Sequence, residues 1–338
     1  MQKNLIRWYQ ENHRDFPWRQ NENPYFIWIS EIMLQQTTTE AVIPYFERFI
    51  KTFPTIQQLA DASLEDVYKL WEGLGYYRRA KHIHETAQII AEQYHGVFPT
   101  TYQEILSLKG IGPYTAGAIC SIAYHQSTPA IDGNVLRIMS RLYLLKDNIA
   151  LTKTQKKISD IVAKLLIGYD SSAFNQGLMD LGATICRPLQ PRCEQCPISD
   201  FCLAFKSNQQ KVLPINIKNI KHKEIHYITG IITYQDQFLF IQNPAGLLEN
   251  LYGLIQYEQE SPYRFIEEFE QQYEIPLSIV SHIADIKHVF THRTWQMHVY
   301  HFVLSQPIDG LYTLEEINQL PISTAHLKVL KAFLKNRD

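Results

Sequence analysis

The first part of this chain is organised around the stretch Leu108-Lys109-Gly110-Ile111-Gly112-Pro113-Tyr114-Thr115-Ala116-Gly117. Two glycines one residue apart, between two helical patterns, predict a tight hairpin in which no side chain covers the backbone amides. The second helix should begin near Pro113, so that its free N–H groups and the positive end of its dipole face the hairpin. Such a helix start can bind a phosphate without any lysine. An ordinary turn between two helices that requires glycine is the alternative interpretation.

The segments on both sides of this hairpin carry helical patterns, and proline, glycine or asparagine marks most of the turns between them. We expect helices at residues 25–36, 41–51, 63–71, 79–94, 101–107, 113–124, 133–145, 153–168 and 172–183. The sequence therefore predicts an all-α domain over residues 1–207.

The sequence changes character after about Lys221. Residues 227–233 and 238–242 are β-rich runs on either side of Gln235-Asp236-Gln237, which predicts a hairpin, and residues 295–304 form another aromatic and β-branched run. We predict a linker over 208–222 and a smaller α+β domain over 223–338. The chain should thus be a multi-domain protein.

Composition restricts the class of protein. The 338 residues carry a net charge of −2, with 45% hydrophobic and 20% charged residues, which is typical of a globular protein. No stretch reaches the length of a membrane span, and the start lacks the apolar run of a signal peptide. We expect a cytoplasmic monomer. Since the net charge gives no general attraction to nucleic acid, any DNA binding needs local patches and backbone amides.

Four of the five cysteines lie in one short segment, at Cys186, Cys193, Cys196 and Cys202. Three prolines are interleaved with them, which indicates a loop. One loop that carries four thiolates at these spacings suits an iron–sulfur cluster better than zinc, whose ligands usually form two close pairs. Zinc and four ordinary buried thiols are the alternatives. The fifth cysteine, Cys120, lies in an apolar helical pattern and should be part of the core.

Two carboxylates are candidates for chemistry. Asp132 precedes a predicted helix and could be a simple N-cap, but it also follows the hairpin closely enough to act on a sugar carbon, with Asn134 orienting water or a carboxylate. Glu31 lies on an apolar helix face, where burial should raise its pKa and suit it to general acid catalysis near neutral pH. A partly exposed Glu31 that bridges to Arg19 is the alternative.

Together these residues resemble the helix-hairpin-helix, iron–sulfur DNA glycosylases, and within them the adenine DNA glycosylases of the MutY type. The resemblance extends over essentially the whole chain. Four motifs carry it in that family's order: Pro17-Trp18-Arg19, Trp28-Ile29-Ser30-Glu31-Ile32-Met33-Leu34-Gln35-Gln36-Thr37, Gly73-Leu74-Gly75-Tyr76-Tyr77 and Asp132-Gly133-Asn134.

The resemblance implies a role for each matching residue. Glu31 would protonate adenine at N7, and Asp132 would stabilise the oxocarbenium sugar, supported by Tyr114 and Asn134. The implied contacts to DNA or to the extruded base are Arg14 and Arg19 at the adenine pocket, Gln36, Tyr76 and Leu74 as wedging residues, Thr37 in the same motif as Gln36, and the hairpin glycines Gly110 and Gly112. Cys186, Cys193, Cys196 and Cys202 would bind a 4Fe–4S cluster.

The C-terminal domain resembles a Nudix fold, which is the family's lesion-recognition domain. Around Arg264, Glu267 and Glu268 the glutamates do not have the spacing of a working Nudix hydrolase, so we expect neither metal binding nor hydrolysis there. Phe290, Thr291 and His292 match the loop that reads the oxidised guanine, with threonine in place of the commoner serine. A plain β-turn is the alternative.

These observations predict a monofunctional glycosylase that excises adenine opposite 8-oxoguanine or guanine in double-stranded DNA. The endonuclease III type, which also cuts the strand, needs an amine just after the hairpin, where this chain has the phenol of Tyr114; Lys109 lies nearby but would have to turn towards the sugar. Outside this class, the alternatives are a DNA-binding redox sensor and a binding module with an inert cluster.

Overall fold

The computed structural model describes residues 1–217, 222–244, 246, 248–290 and 292–335. It divides the chain into two compact units. The first unit is Met1–Ala62 with Arg78–Lys218, and the second is Ser63–Tyr77 with Asn219–Asp338. The internal segment Ser63–Tyr77 therefore belongs with the C-terminal part of the chain, although it lies among the helices in the sequence.

The helices carry labels in chain order. They are α1 (Gln2–Asn12), α2 (Pro24–Met33), α3 (Thr39–Thr52), α4 (Ile56–Asp61), α5 (Leu64–Trp71), α6 (Arg78–Gln93), α7 (Tyr102–Ser107), α8 (Pro113–Ala123), α9 (Gly133–Leu142), α10 (Thr152–Leu166), α11 (Ser171–Thr184), α12 (Leu203–Lys206), α13 (Pro262–Tyr273), α14 (Leu314–Ile317) and α15 (Thr324–Lys335). Short 3₁₀ helices lie at Pro17–Arg19, Cys193–Gln195 and Ser199–Phe201. All of the described helices except α5 and α13–α15 belong to the first unit, so the prediction of an α-helical N-terminal part is confirmed.

Side-chain caps start the helices that matter for function. Asn23 accepts the N–H of Tyr25 at 2.9 Å at the start of α2, and Asp132 accepts the N–H of Val135 at 2.8 Å at the start of α9. The predicted helix 25–36 was wrong at its end, because α2 stops at Met33 and Gln36 adopts a left-handed φ of 60°. The chain therefore turns sharply after α2.

The predicted hairpin lies between α7 and α8. The N–H of Ile111 donates to the carbonyl of Leu108 at 3.2 Å. Gly110 has φ = 77°, and a Cβ atom there would lie 2.6 Å from Cβ of His82, so the close approach of α6 requires glycine. Cys120, in α8, is fully buried, as predicted.

One hydrophobic cluster of the first unit is formed by α1, α9, α10 and α11, where Leu5, Met139 and Phe174 are fully buried. The segment that we predicted as a linker contacts this unit. Ile149 N–H donates to the carbonyl of Ile215 at 2.9 Å, and Arg141 Nε donates to the carbonyl of Leu213 at 2.9 Å. No helix among the described residues is both long and apolar enough to cross a membrane.

The second unit is built on a mixed sheet. Its strands are β1 (Lys223–Tyr234), β2 (Gln237–Leu239), β3 (Ile241–Gln242), β4 (Tyr252–Gly253), β5 (Gln256–Tyr257), β6 (Leu277–Val289), β7 (Arg293–Leu304) and β8 (Leu311–Tyr312). The order is β6-β7-β1-β2-β8, with β5 paired to β1 and a separate β3-β4 pair. The antiparallel pairing of Tyr234 with Gln237 confirms the predicted hairpin.

Helices pack on both faces of this sheet, which confirms the α+β prediction. Phe265 and Phe269 of α13 pack in one hydrophobic cluster, and Val329 and Phe333 of α15 pack in the other. The segment around α5 is attached through Tyr77, whose hydroxyl donates to the carbonyl of Ile322 at 3.2 Å.

Candidate active site

A cavity of about 680 Å³ opens in the helical unit between α2, the hairpin, and the starts of α8 and α9. This volume falls within the range of roughly 300–1,000 Å³ that is common for ligand pockets. Nine predicted site residues line it together: Arg14, Arg19, Glu31, Gln36, Thr37, Gly112, Tyr114, Asp132 and Asn134. These residues are spread over the sequence from Arg14 to Asn134, so only the fold brings them to one site.

Glu31 lies at the wall of this cavity, with only 6% of its surface exposed. The hydroxyl of Tyr114 donates a hydrogen bond to its Oε2 at 2.7 Å. Burial raises the pKa of Glu31 to about 7, and the negative charge of Asp132 acts in the same direction, whereas the hydrogen bond from Tyr114 and the charge of Arg19 oppose it. Glu31 is therefore a carboxyl group that holds a proton near neutral pH.

Asp132 is both an N-cap and a member of the site, so the two interpretations of the sequence are compatible. Its Oδ1 accepts the N–H of Val135, and its Oδ2 accepts from Nδ2 of Asn134 at 2.7 Å. Burial raises its pKa above the ordinary value, against the lowering effect of these hydrogen bonds and of Arg137. The backbone N–H groups of Val135 and Asn134, the side chain of Asn134 and the charge of Arg137 all favour the ionised form of Asp132. Asp132 is therefore better suited than Glu31 to stabilise a positive charge.

Asp180 is a site residue that the sequence reasoning missed. Its side chain is 1% exposed and binds both predicted pocket arginines, with Arg14 Nη2 at 2.7 Å from Oδ1 and Arg19 Nη1 at 2.7 Å from Oδ2. Burial acts to raise the pKa of Asp180, but Arg19 and Arg14 outweigh it and hold the pKa below its ordinary value. The sign of this role in the sequence was a charged residue inside an apolar stretch, between Leu178 and Leu181.

Arg19 therefore does not form the carboxylate bridge to Glu31 that we considered as an alternative. Its guanidinium donates to Asp180 and lies 5.1 Å from the ring centroid of Phe16, and that of Arg14 lies 4.8 Å from the same centroid. The aromatic ring and the buried carboxylate fix the two guanidinium groups at the cavity wall.

A chain of hydrogen bonds leads from Asp132 to the cysteine loop. Asn134 donates to Asp132, and Oδ1 of Asn134 accepts from Nη2 of Arg137 at 2.8 Å. Arg137 in turn donates through Nε to the carbonyl of Cys186 at 2.8 Å. Neither Arg137 nor its neighbour Gly182 was predicted, because an arginine in a helix carries no local sign of such contacts.

The four predicted cysteine ligands surround one small cavity of about 30 Å³. Arg141 borders it and donates to Sγ of Cys186 at 3.3 Å and to the carbonyls of Arg187 and Pro188 at 2.7 Å. Within the described part of the chain, no group of three or more His, Cys, Asp or Glu side chains is arranged to hold a metal ion. Four cysteines that line one cavity nevertheless supply the donor set that an iron–sulfur cluster uses.

The remaining predicted contacts lie on other elements. Gly110 is in the hairpin, at the left-handed turn described above. Leu74 and Tyr76 belong to the segment Ser63–Tyr77 of the second unit, where Leu74 is buried and Tyr76 is 47% exposed.

Residues of the predicted lesion-reading loop lie between β6 and β7. Phe290 packs at 4.7 Å, between ring centroids, against both His288 and Trp295, and His292 is exposed. Thr291 lies outside the described residues.

The predicted Nudix-type glutamates lie on α13. Arg264 and Glu267 are exposed, and Oε2 of Glu268 accepts a hydrogen bond from Nε2 of Gln259 at 2.9 Å.

Two family descriptions match the chain. Residues 29–164 match the HhH-GPD superfamily of base excision DNA repair proteins, and residues 228–332 match the NUDIX domain. Both matches agree with the helical and α+β parts of the fold.

Curated relatives and a solved structure are similar to the chain. An adenine DNA glycosylase of Buchnera aphidicola subsp. Acyrthosiphon pisum is 43% identical over 245 residues, which cover 71% of this chain and 69% of the relative. One of Mus musculus is 30% identical over 99% of this chain and 78% of the relative. The structure of a thermostable thymine-DNA glycosylase superposes with a TM-score of 0.56 at 28% identity, over 61% of this chain and 94% of that one.

Proposed function

Because this chain belongs to the adenine DNA glycosylase family of base excision repair, we propose that its helical unit hydrolyses the N-glycosidic bond of adenine mispaired with 8-oxoguanine. The observation that carries the proposal is a pair of carboxyl groups, the buried Glu31 and the half-buried Asp132, at one cavity beside the free start of α8. Their surroundings differ, so that Glu31 is suited to act as an acid and Asp132 as an anion.

Glu31 supplies the proton to the leaving base. Adenine leaves poorly as an anion, and protonation of the ring makes it a neutral leaving group. The raised pKa keeps Glu31 protonated near neutral pH, and Tyr114 fixes the carboxyl by its hydrogen bond to Oε2. The target base must leave the helical stack to reach this group, because its glycosidic bond is shielded in duplex DNA.

Asp132 stabilises the sugar cation that forms as the base departs. Its Oδ2 is oriented by Asn134 and its Oδ1 by the backbone of α9, so the carboxylate is held in place before the reaction. A preorganised anion next to a developing positive charge is the arrangement that lowers such a barrier.

Binding of the DNA backbone is assigned to the hairpin. Gly112 is the N-cap of α8 and offers no side-chain cap, so the first N–H groups of this helix are free to bind a phosphate. These contacts give affinity and register without reading the sequence of bases. Gln36 and Thr37 line the cavity, and we propose that they contact the nucleotides beside the extruded one.

Preference for 8-oxoguanine is assigned to the loop of the second unit that contains Phe290 and His292. The support is Phe290, which is fixed against Trp295 and His288, next to an exposed imidazole. We expect His292→Ala to reduce the excision rate ratio between adenine opposite 8-oxoguanine and adenine opposite guanine. An unchanged ratio would remove His292 from this role, and His282→Ala, at an exposed position of β6, is the matched control.

The cysteine loop is proposed to bind a 4Fe–4S cluster through Cys186, Cys193, Cys196 and Cys202. When bound, the cluster supplies four metal–thiolate bonds that cross-link the loop. The purified protein should contain iron and acid-labile sulfide in equal amounts, about four of each per chain. Zinc in place of iron would overturn this assignment.

The decisive experiment is single-turnover incubation with duplex DNA that carries adenine opposite 8-oxoguanine, with each sample divided and one half treated with hot alkali. We expect strand breakage only after alkali, since base removal leaves an intact abasic strand. Glu31→Gln should abolish it, and Glu47→Gln, an exposed residue of α3, is the control. Tight binding without breakage would instead favour the redox-sensor alternative.

Strand breakage without alkali would support the endonuclease III alternative, which requires an amine. Of the described residues that line the cavity, none is a lysine. Lys109 lies in the hairpin and its Nζ is 2.7 Å from Oε2 of Glu85. These contacts support base removal without lyase chemistry.

A further inference from the structure

Arg79, near the start of α6, binds the end of the helix that carries Glu31. Its Nη1 carries two hydrogens and lies within hydrogen-bonding distance of three carbonyls, those of Ile32 at 2.7 Å, Met33 at 3.0 Å and Gln35 at 2.6 Å, so that one hydrogen is shared between two of them. Since α2 ends at Met33, these carbonyls are at the helix end, where acceptors lack their usual α-helical donors and the dipole is negative. The carbonyl of Ile32 also accepts the N–H of Gln35 at 3.3 Å. A guanidinium group satisfies these carbonyls with charge-assisted hydrogen bonds.

The turn that Arg79 holds is also part of the cavity. Gln35, Gln36 and Thr37 line it, and Gln36 has a left-handed φ of 60°. A non-glycine residue in that region is strained by about 1 kcal/mol or more and persists only where its surroundings hold it. Arg79 provides such contacts on both sides of Met33, where the helix stops and the turn begins.

The same helix also contacts the DNA-binding hairpin. Oγ1 of Thr86 donates to the carbonyl of Lys109 at 2.7 Å, and His82 lies directly against Gly110. Arg79 and Thr86 are seven residues apart, which is two turns or about 10 Å of helix. One rigid element therefore binds the end of the Glu31 helix at one point and the hairpin at another.

We propose that Arg79 is a positioning residue, which fixes the Glu31 carboxyl group relative to the backbone-binding hairpin by anchoring the end of α2 to α6. This inference rests on the proposed glycosylase function. Substrate DNA held at the hairpin meets the acid at a distance that α6 helps to set, together with the direct hydrogen bond from Tyr114 at the start of α8 to Glu31. A small displacement of the acid slows proton transfer while the hairpin can still bind DNA.

The test uses the whole 338-residue chain at a saturating excess over DNA, so that the single-turnover rate constant reports the reaction after binding. We expect Arg79→Met to lower the rate constant by at least about tenfold, since misplacement of a catalytic group by about 1 Å can cost up to a hundredfold. Arg79→Lys should lie between wild type and Arg79→Met, because an ammonium group can replace only part of the contacts. Arg78→Met removes one charge from an exposed position of the same helix and should stay within about twofold.

The pH profile separates positioning from loss of folded protein. Without the guanidinium group, no positive charge offsets the carbonyls at the end of α2, so the pKa of Glu31 should rise. The alkaline limb of the rate profile, in which the rate falls as pH increases, should therefore move to higher pH. Partial unfolding would lower the fraction of active enzyme but would leave the alkaline limb of the rate profile at the same pH. A rate constant within about twofold of wild type, or a loss with an unshifted limb, would overturn the inference. Absence of excision by the wild type would instead contradict the proposed function.

Discussion

At the scale of single residues, the pH response of the reaction should follow Glu31. An acid that must be protonated gives a constant rate below its pKa and a rate that falls with rising pH above it. Because burial raises the pKa of Glu31 to about 7, we expect the single-turnover rate constant to decline from about neutral pH upwards. A flat profile between about pH 6 and about pH 9 would exclude Glu31 as the acid, provided that chemistry limits the rate.

The same carboxyl group should make the folded state less stable as the pH rises. The unfolded chain releases this proton near the ordinary pKa of 4.5, whereas the folded state retains it up to about 7. Stability is therefore unaffected below about 4.5 and falls as pH rises from there to about 7. Glu31→Gln should raise the free energy of unfolding at pH 8, by up to about 3 kcal/mol. Urea unfolding at pH 5 and pH 8 measures this, and an equal effect at both values would contradict it.

Tyr114 should set the position of the alkaline limb. Its hydroxyl donates to Glu31 and thereby lowers the pKa of that carboxyl group. Tyr114→Phe removes this donor, so the pKa of Glu31 should rise and the limb should move to higher pH. The rate–pH profile is the measurement, and Tyr124→Phe, whose hydroxyl binds the carbonyl of Phe98 outside the cavity, is the control. A limb that stays in place would show that this bond does not act on the pKa of Glu31, and a shift to lower pH would contradict the direction of its effect.

Asp180 should be important for stability as well as for the cavity wall. Asp180→Asn leaves Arg14 and Arg19 without their carboxylate, and breaking a buried ion pair costs about 3–5 kcal/mol. Because the pKa of Asp180 is lowered in the folded state, its contribution is present above the unfolded pKa and is lost as pH falls through the folded one. The difference from wild type in urea unfolding should therefore shrink in acid. A constant difference would attribute the loss to packing alone.

At the scale of elements, the approach of α11 to the start of α9 positions Asn134. A Cβ atom on Gly182 would lie 2.5 Å from Cβ of Asn134. Gly182→Ala should therefore displace Asn134 from Asp132 and lower the excision rate by about tenfold, without removing any reacting group. Gly177→Ala on the same helix is the control, since its Cβ would meet only side-chain atoms of Leu5 and Tyr9 at 3.3 Å. Equal rates for the two variants would refute this account of Asn134.

At the scale of the whole molecule, the segment around α5 is bound to the C-terminal part of the second unit. Tyr77 and Lys69 donate to the carbonyls of Ile322 and Leu320, and Tyr68 and Trp71 of α5 are almost fully buried. A chain cut after residue 217 loses the partners of this segment while it retains the segment itself. We expect a lower urea midpoint for the truncated protein than for the full chain, because large aromatic groups become exposed. An identical midpoint would show that α5 is stable without the second unit.

The local features of this protein were predictable from its sequence. Asn23 with Pro24 and Asp132 start helices because their side chains cap free N–H groups, and the glycines around Ile111 turn the chain because they tolerate its backbone angles. The apolar neighbours of Glu31 indicated a buried acid. The resemblance in the four motifs identified the family before any geometry was known. Each of these signals acts within a few residues of its cause.

Tertiary structure alone decided which distant groups meet. Asp180 binds Arg14 and Arg19, which lie more than 150 positions earlier in the sequence. Glycine is needed at position 182 because α9 passes close to it. Arg79 binds the end of α2, a helix that begins more than fifty residues before it. Ser63–Tyr77 is grouped with the C-terminal sheet, and nothing in the sequence of its amphipathic helix α5 indicates this. The physical reason is that capping and turn formation depend on short-range sterics and hydrogen bonds, whereas charge pairing and close packing depend on the positions of all neighbouring elements.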